Sequence, residues 1–524
     1  MVHHHRVTLL AHHQPQQQRK GDAVEGGSGS SRMKELRGRL MDYACHHRKH
    51  GHDALLRMLA GFALASCLLL LLPGSPVSAA IDELLQLGRH HEDAPAPAPP
   101  CSDVADGTIC CDRTAIRTDV CVMRGDVRTH AASSSLFLLT NSSGPGPAAD
   151  ERIRPYTRKW ESSIMNTIDE LRLRSVPEGE GAPARCNVRH DVPAVVFSTG
   201  GYTGNVYHEF NDGIIPLYIT ARQYNKKVVL VMLEYHDWWM TKYGHIVEQL
   251  SAYPPIDFAN DRRTHCFPEA VVGLRIHDEL AIDAARMPGN QSIQDFRQML
   301  DDAYRGRIQT IIEEEEEKKK EAVEAATTQG TRRGSNTTMI EKEDDRPRLV
   351  IVSRNGSRAI ENEAELARAA AGAGFRVAVL RPRQDTELAK MYRALNASDV
   401  MVGVHGAAMT HFLFMRPGSV FIQVVPLGTD WAAETYYGEP ARRLGLRYMP
   451  YKILPSESSL YGRYAKDDPV LTDPDTVNAK GWQVTKKVYL DGQNVRLDMA
   501  RFRRRLREAY HHVAASRTEQ KRPQ

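Results

Sequence analysis

The chain reads as an α/β protein of two globular halves, carried behind one membrane-spanning helix. Three observations predict this. Short apolar runs alternate with helical segments from residue 349 to 451, the pattern of a parallel, doubly wound sheet. An apolar stretch, Ala54 to Leu72, covers about 28 Å at ~1.5 Å per residue, enough to cross a bilayer. A segment at 313–346, first Glu/Lys-rich and open to a helix, then Thr, Gly, Arg and Asp with a disordered composition from Thr327 to Asp345, separates the halves as a disordered insertion or linker.

Residues 1–53 are polar and basic, which predicts a cytosolic tail before the span at 54–72. That tail is far longer than the basic leader of an ordinary signal peptide, so the span reads as an uncleaved signal-anchor. A cleavable signal ending near Val77-Ser78-Ala79 is the alternative. Residues 73–100 end in EDAPAPAPP, an extended stem. The organisation that follows is an N-terminal lobe at 101–312, the linker, a C-terminal lobe at 347–495 and a C-terminal helix and tail at 496–524. A net charge of +4 over 524 residues supplies no global field for nucleic acid.

Six cysteines follow the span: Cys101, Cys110, Cys111, Cys121, Cys186 and Cys266. An even number on one side of a membrane suggests disulfides in an oxidising lumen, with zinc the alternative for the first four; spacing does not choose the pairing. Candidate N-glycosylation sites are Asn141, Asn290, Asn336, Asn355 and Asn396.

In the first half, strands are expected near Ala194–Phe197, Val228–Leu233 and Ala270–Gly273. Helices are expected at about Asn205–Arg222 and Asp237–Leu250. In the second half, strands are expected at Leu349–Val352, Arg376–Leu380, Val400–Val404, Val420–Val425 and Arg447–Tyr451. Helices at Glu361–Ala371, Glu387–Leu395 and Trp431–Leu444 fill the gaps, and Arg496–His512 forms a last helix with a solvated basic face. In such sheets ligands bind beyond the carboxyl ends of the strands. Ser353, Arg354 and His405 stand just past strand ends.

The candidate chemistry concentrates there. Gly403 to His411, GVHGAAMTH, is a strand end, a glycine turn and the start of an apolar helix running to Met415. The N–H groups at Gly406 and Ala407 suit a phosphate. Arg354 and Arg358 offer bidentate forks to a diphosphate. His405 donates to a phosphate or sugar oxygen when neutral and balances a leaving group when protonated. Glu434 is placed to accept from ribose hydroxyls, or else stabilises a helix start. His208 and Asp212, at i and i+4, share a helix face and form a candidate general base. Asn205 reads as a helix cap, Asn362 and Glu363 as structural polar groups, and His411 as a core histidine. Asp473-Pro474-Asp475 has the letters of a metal-binding D-x-D but reads as a turn, so no metal ligand is assigned.

Together YHEFNDG (207–213), Ser353-Arg354 with Ser357-Arg358 and Asn362-Glu363, GVHGAAMTH and WAAETYY (431–437) resemble glycosyltransferase family 61, notably its grass members that decorate xylan. The resemblance covers about residues 100–515. It implies a type II Golgi membrane protein of GT-B fold, two Rossmann-like lobes with the site in the cleft between them. It implies an inverting mechanism, a UDP-sugar donor held by the C-terminal lobe, and transfer of L-arabinofuranose or D-xylose to xylan, with no cofactor beyond the donor. Work in a complex with other glycosyltransferases fits the same setting. Animal relatives transfer N-acetylglucosamine to proteins, which is the alternative acceptor class. A two-carboxylate glycosidase and a non-catalytic glycan-binding partner are the competing readings.

Overall fold

The N-terminal half is built on one mixed sheet. Its strands are β1 (Thr108–Asp112), β2 (Val120–His130), β3 (Ser135–Thr140), β4 (Asp150–Ile153), β5 (Leu171–Pro177), β6 (Val188–Arg189), β7 (Ala194–Ser198), β8 (Val229–Leu233), β9 (Ile256–Asp257) and β10 (His265–Val272). The order is β4-β5-β3-β2-β10-β7-β8-β9, with β1 on β2 and β6 on β10. The computed structural model describes residues 100–140, 150–177, 185–328 and 345–520, all within one unit, Ala96–Gln524. The span at 54–72, the stem, and the sequons at Asn141 and Asn336 lie outside the described residues. Among the described residues no helix is long and apolar enough to cross a membrane.

This sheet corrects the expectation of a Rossmann-like first lobe. β10, β7, β8 and β9 run parallel to one another, as expected. β10 then meets β2 antiparallel, placing Val271 opposite Val122 on one side and Val195 on the other. β1–β2, β2–β3 and β4–β5 are also antiparallel. Three disulfides staple this half: Cys101–Cys110, Cys111–Cys121 and Cys186–Cys266. The last ties the segment entering β6 to β10, across 80 residues of sequence.

The C-terminal half is the predicted parallel sheet: β11 (Arg348–Val352), β12 (Arg376–Leu380), β13 (Val400–Val404), β14 (Val420–Val425) and β15 (Arg447–Lys452). The order is β12-β11-β13-β14-β15, all parallel. Chains leaving β11 and β13 diverge, so the topological switch point lies between those two strand ends.

Seven principal helices pack on these sheets. α1 runs as Val206–His208, a π-helical stretch Glu209–Ile214, and Ile215–Ala221. α2 is Asp237–Leu250, α3 Ile293–Thr328, α4 Glu363–Gly372 and α5 Leu388–Asn396. α6 joins Asp430–Ala433, a π-helical stretch Glu434–Gly438 and Glu439–Arg443. α7 is Met499–Gln520. On α7, Phe502, Leu506, Ala509 and Val513 face the core at helical spacing and leave Arg503, Arg504 and Arg507 outward, while Arg501 and Arg517 pair with Glu457 and Asp399.

α3 revises the reading of 313–346 as disordered. The Glu/Lys block continues the helix to Thr328. Glu, Lys and Ala are strong helix formers, and Arg307–Glu387 (2.6 Å) and Arg393–Glu315 (3.0 Å) hold α3 against α5. The halves are not joined by a linker alone. One apolar core runs between the two sheets, with Phe210 against Phe414 (5.9 Å) and Tyr304 against Tyr392 (5.0 Å).

The Asn396 sequon is engaged in this packing. Asn396 ends α5, bonded to Arg297 and Asp301, and Ser398 is buried. Asn290 and Asn355 are exposed.

Candidate active site

The site forms where α1 of the first half meets the strand ends of the second. On α1, Asn205 caps the helix by accepting from the Tyr207 N–H (3.1 Å). The π-helical stretch begins one residue after His208; such insertions in a helix recur at functional sites. His208 Nδ1 lies 2.7 Å from Asp212 Oδ2. Arg158 Nε donates to the same oxygen (2.7 Å), Asn211 Nδ2 donates to Oδ1 (2.8 Å), and Arg117 stands 3.7 Å off Oδ1. Burial opposes ionisation of Asp212, yet the bonds from His208 and Arg158 prevail and hold its carboxyl below the usual range. An ionised Asp212 keeps the His208 proton on Nδ1 and leaves Nε2 as a free acceptor. The Tyr202 ring stacks on the imidazole at 4.1 Å and fixes its plane.

This environment excludes the glycosidase alternative. Asp212 is committed to the Arg158 guanidinium and the His208 ring, and the buried carboxylate of Glu209 is spent on the Gly204 N–H (2.6 Å) and Trp239 Nε1 (2.6 Å). Neither is free to flank a scissile bond as acid or base.

Across the junction, the turn after β13 sets the second cluster. Gly406 has φ +147° and ψ 176°, a backbone region that only glycine occupies without strain. A Cβ there would overlap Arg354 Nη1 and lie 3.1 Å from Arg358 Nη1, so both guanidiniums rest on the bare glycine. Arg358 Nη1 donates to the His405 carbonyl (3.3 Å), and Arg354 Nε donates to that of Ser357 (3.4 Å). Arg358 itself holds φ +58°, a strained value for an arginine. Among the described residues no carboxylate lies within 4 Å of either arginine. Burial lowers the Arg354 pKa; burial and then the Arg354 charge bring Arg358 to about 10. Two half-buried cations side by side, without a counter-ion, suit an incoming anion.

His405 is buried and neutral: desolvation, then Arg358 and Arg354, pull its pKa to about 3. Tyr448 Oη donates to Gln423 Oε1 (2.7 Å), which orients the Gln423 amide with Nε2 3.0 Å from His405 Nδ1. His405 therefore carries its proton on Nε2 as a fixed donor. The expected apolar helix after Gly406 is a 3-10 helix, Ala407–Phe414, with half-buried Ala407 opening it. Its leading N–H groups have no intrahelical acceptors. Ser353 carries the β11–β12 pairing one step further, its N–H bonded to the Leu380 carbonyl (2.8 Å).

The structure brings Arg354, Arg358, His405, Gly406 and Ala407 together at the switch point, and His208 with Asp212 opposite. Aromatic rings join the clusters: Tyr207 contacts Tyr436 (5.5 Å) and Tyr437 (5.9 Å), and Tyr437 contacts His405 (5.4 Å). Glu434 is turned elsewhere, bonded to Arg442 and lying over Gly438. His411 is a core residue, bonded to the Ala408 carbonyl (2.8 Å). Asn362 clamps Leu497, and Glu363 pairs with Arg381. Asp473 caps the short helix Pro474–Asn478. Sequence reading misses Arg158, Arg117, Gln423 and the tyrosine bridge. Only the tyrosines carried a signal, through the motifs that contain them.

Gly406→Ala isolates the cradle. Because the added methyl meets the end of a flexible side chain, the fold survives at a cost of about 1–3 kcal/mol from backbone strain. Arg354 is displaced, and UDP affinity by calorimetric titration falls roughly tenfold, the scale of one charged hydrogen bond.

A pair of half-buried arginines at the switch point of the parallel sheet, joined through tyrosine rings to a histidine–carboxylate couple, fits an enzyme of group transfer. The chain belongs to glycosyltransferase family 61. The Glycosyltransferase 61 family model matches residues 228–422. The xylan glycosyltransferase MUCI21 of Arabidopsis thaliana is 55% identical over 406 residues, 77% of this chain and 79% of that protein. The beta-1,2-xylosyltransferase XYXT1 of Oryza sativa subsp. japonica is 38% identical over 76% of this chain and 83% of its own. The alpha-1,3-arabinosyltransferase XAT3 of the same species is 36% identical over 76% of this chain and 64% of its own.

Proposed function

We propose that this glycosyltransferase moves a pentose from a UDP-sugar to xylan, by inversion, in a GT-B-type arrangement. The observation that carries the reading is the Arg354–Arg358 pair, lodged on Gly406 without a carboxylate and facing His208 across the tyrosine bridge. The relatives named as a xylan glycosyltransferase, a xylosyltransferase and an arabinosyltransferase support the substrate class. XYXT1 and XAT3 are nearly equally similar yet are named for different sugars, so the choice between xylose and arabinofuranose rests on pocket detail.

In the proposed step an acceptor hydroxyl attacks the anomeric carbon. Its proton passes to His208 Nε2 while the bond from that carbon to the UDP oxygen breaks. The charge arriving on the diphosphate meets Arg354, Arg358, the His405 Nε2–H and the N–H groups at Gly406–Ala407. Fixed cations and dipoles aimed at developing charge lower the barrier without reorganising. Anchoring by the 54–72 span would hold the enzyme in the Golgi membrane with this site in the lumen, and partner transferases would act alongside it.

The test is the full chain assayed with UDP-arabinofuranose, UDP-xylose and UDP-N-acetylglucosamine against xylo-oligosaccharides, with and without EDTA. The expected result is transfer from one UDP-pentose, with inverted product and activity that survives EDTA. Transfer only from UDP-N-acetylglucosamine would overturn the pentose assignment, and a strict need for Mn²⁺ would overturn the metal-free scheme.

A further inference from the structure

The described residues include seven exposed large apolar side chains: Ile116, Trp238, Val323, Trp431, Leu454, Tyr461 and Trp482. Single exposed apolar residues are ordinary. Trp431 differs from the others in place: it alone is in ring contact with the tyrosine bridge of the site. Its indole is 42% exposed and meets Tyr436 edge-on at 5.6 Å. Tyr436 in turn contacts Tyr207, the neighbour of His208.

The backbone holds this indole where it is. Trp431 sits in the first turn of α6, whose apolar face buries Ala432, Ala433, Tyr437 and Ala441. Asp430, beside it, is tied to Lys452 on β15 (2.5 Å). The helix start thus lies, like Arg354 and His405, beyond the carboxyl ends of the strands, after β14 and two strands from the β11 end that carries Arg354. Tyr436 also lies in the field of Arg158, Arg117, Glu279 and Glu161, on the His208 side of the junction.

We infer that Trp431 is an acceptor platform: its exposed face stacks on a pentose ring of the xylan chain outside the unit that receives the sugar. A β-1,4-linked xylopyranose carries no hydroxymethyl group. Its ring faces present C–H bonds and pack flat on an indole, an aromatic surface with a large apolar area and few rotamers. The tyrosine bridge leads from this platform to the base, so an acceptor hydroxyl delivered to His208 belongs to a chain passing Trp431. A uracil ring would also stack on an indole; the run of ring contacts from Trp431 through Tyr436 and Tyr207 to His208 favours the acceptor, and the test separates the two.

This inference rests on the proposed acceptor class. Xylobiose to xylohexaose are titrated directly into the full chain without donor, for wild type, Trp431→Ala and Trp431→Phe, with UDP titrated in parallel. In Trp431→Ala the Kd for the longer oligosaccharides should rise roughly tenfold, the scale of one aromatic packing contact. Xylobiose and UDP should bind as in wild type, and Trp431→Phe should recover most of the loss. The exposed ring has little to lose in stability, so the melting temperature serves as the folding control. Equal oligosaccharide affinity in wild type and Trp431→Ala, or a loss of UDP affinity instead, would overturn the platform. Oligosaccharide binding without transfer from any donor would sink the transferase scheme, while the Trp431 comparison would still decide the platform.

Discussion

Arg354→Met should weaken donor binding about tenfold or more while leaving the ligand-free protein as stable as wild type or more so. Methionine keeps much of the apolar stem and removes the guanidinium that rests on Gly406. UDP then meets one cation in place of two, and removing one electrostatic group of this kind costs about 10²–10³ in rate. The stability sign is the diagnostic. Arg354 and Arg358 have folded-state pKa values below normal, by burial and, for Arg358, by mutual repulsion. A cation whose pKa is lowered on folding destabilises the native state wherever it is charged, which for arginine is the whole working range. Taking one away relieves the other. Calorimetric UDP titration and a thermal melt of the same protein check both halves. Arg354→Lys should fall between, keeping the charge without the bidentate fork. A melting temperature well below wild type, with UDP affinity intact, would make the pair a structural feature and remove it from the scheme.

The C-terminal sheet was legible because its central strands are buried on both faces. Val400 to Val404 is an unbroken apolar run and Val420 to Val425 is interrupted only by Gln423, and the observed bounds agree with the expected ones to within a residue. The antiparallel part of the N-terminal sheet was not read. β5, LRLRSVP, alternates buried leucines with half-buried arginines, and β2 carries Arg124, Asp126 and Arg128. Such strands are defined by partners far away in sequence: β10 lies between β2 and β7, and Arg124 bonds Glu269 across 145 residues. The site divides in the same way. The i,i+4 spacing brings His208 to Asp212 by local geometry. The Arg158 contact to Asp212 spans 54 residues and is made by topology alone. Glu434 shows the converse limit. Its place near a strand end suggested a ligand, but Arg442, on the same helical segment, takes its carboxylate.

Asp212→Asn should lower kcat by about 10²–10⁴ with little change in UDP affinity, because the carboxylate acts through His208 and has no part in the donor cradle. An amide in its place presents either a donor or an acceptor to His208 Nδ1. If it donates, the imidazole proton moves to Nε2, where the acceptor hydroxyl must deliver its own, and the base is blocked. If it accepts, the tautomer survives, but the charge that steadies a protonated imidazole is gone. Stability also falls, because Arg158 loses the bond from its Nε and keeps only Glu161; breaking a buried pair costs about 3–5 kcal/mol. The pH dependence has a definite sign. The Asp212 pKa is depressed on folding, so its stabilising contribution is full above the ordinary aspartate range and is lost as pH falls through the folded value. The gap in melting temperature between wild type and Asp212→Asn should therefore be wide at neutral pH and close in acid. His208→Gln provides the control on role: it removes the base and leaves the Asp212–Arg158 bond, so it should reproduce the loss of kcat with a smaller loss of stability. If His208→Gln turns over normally, the couple is a structural brace for the turn at 208–212, and the proton leaves the acceptor by another route.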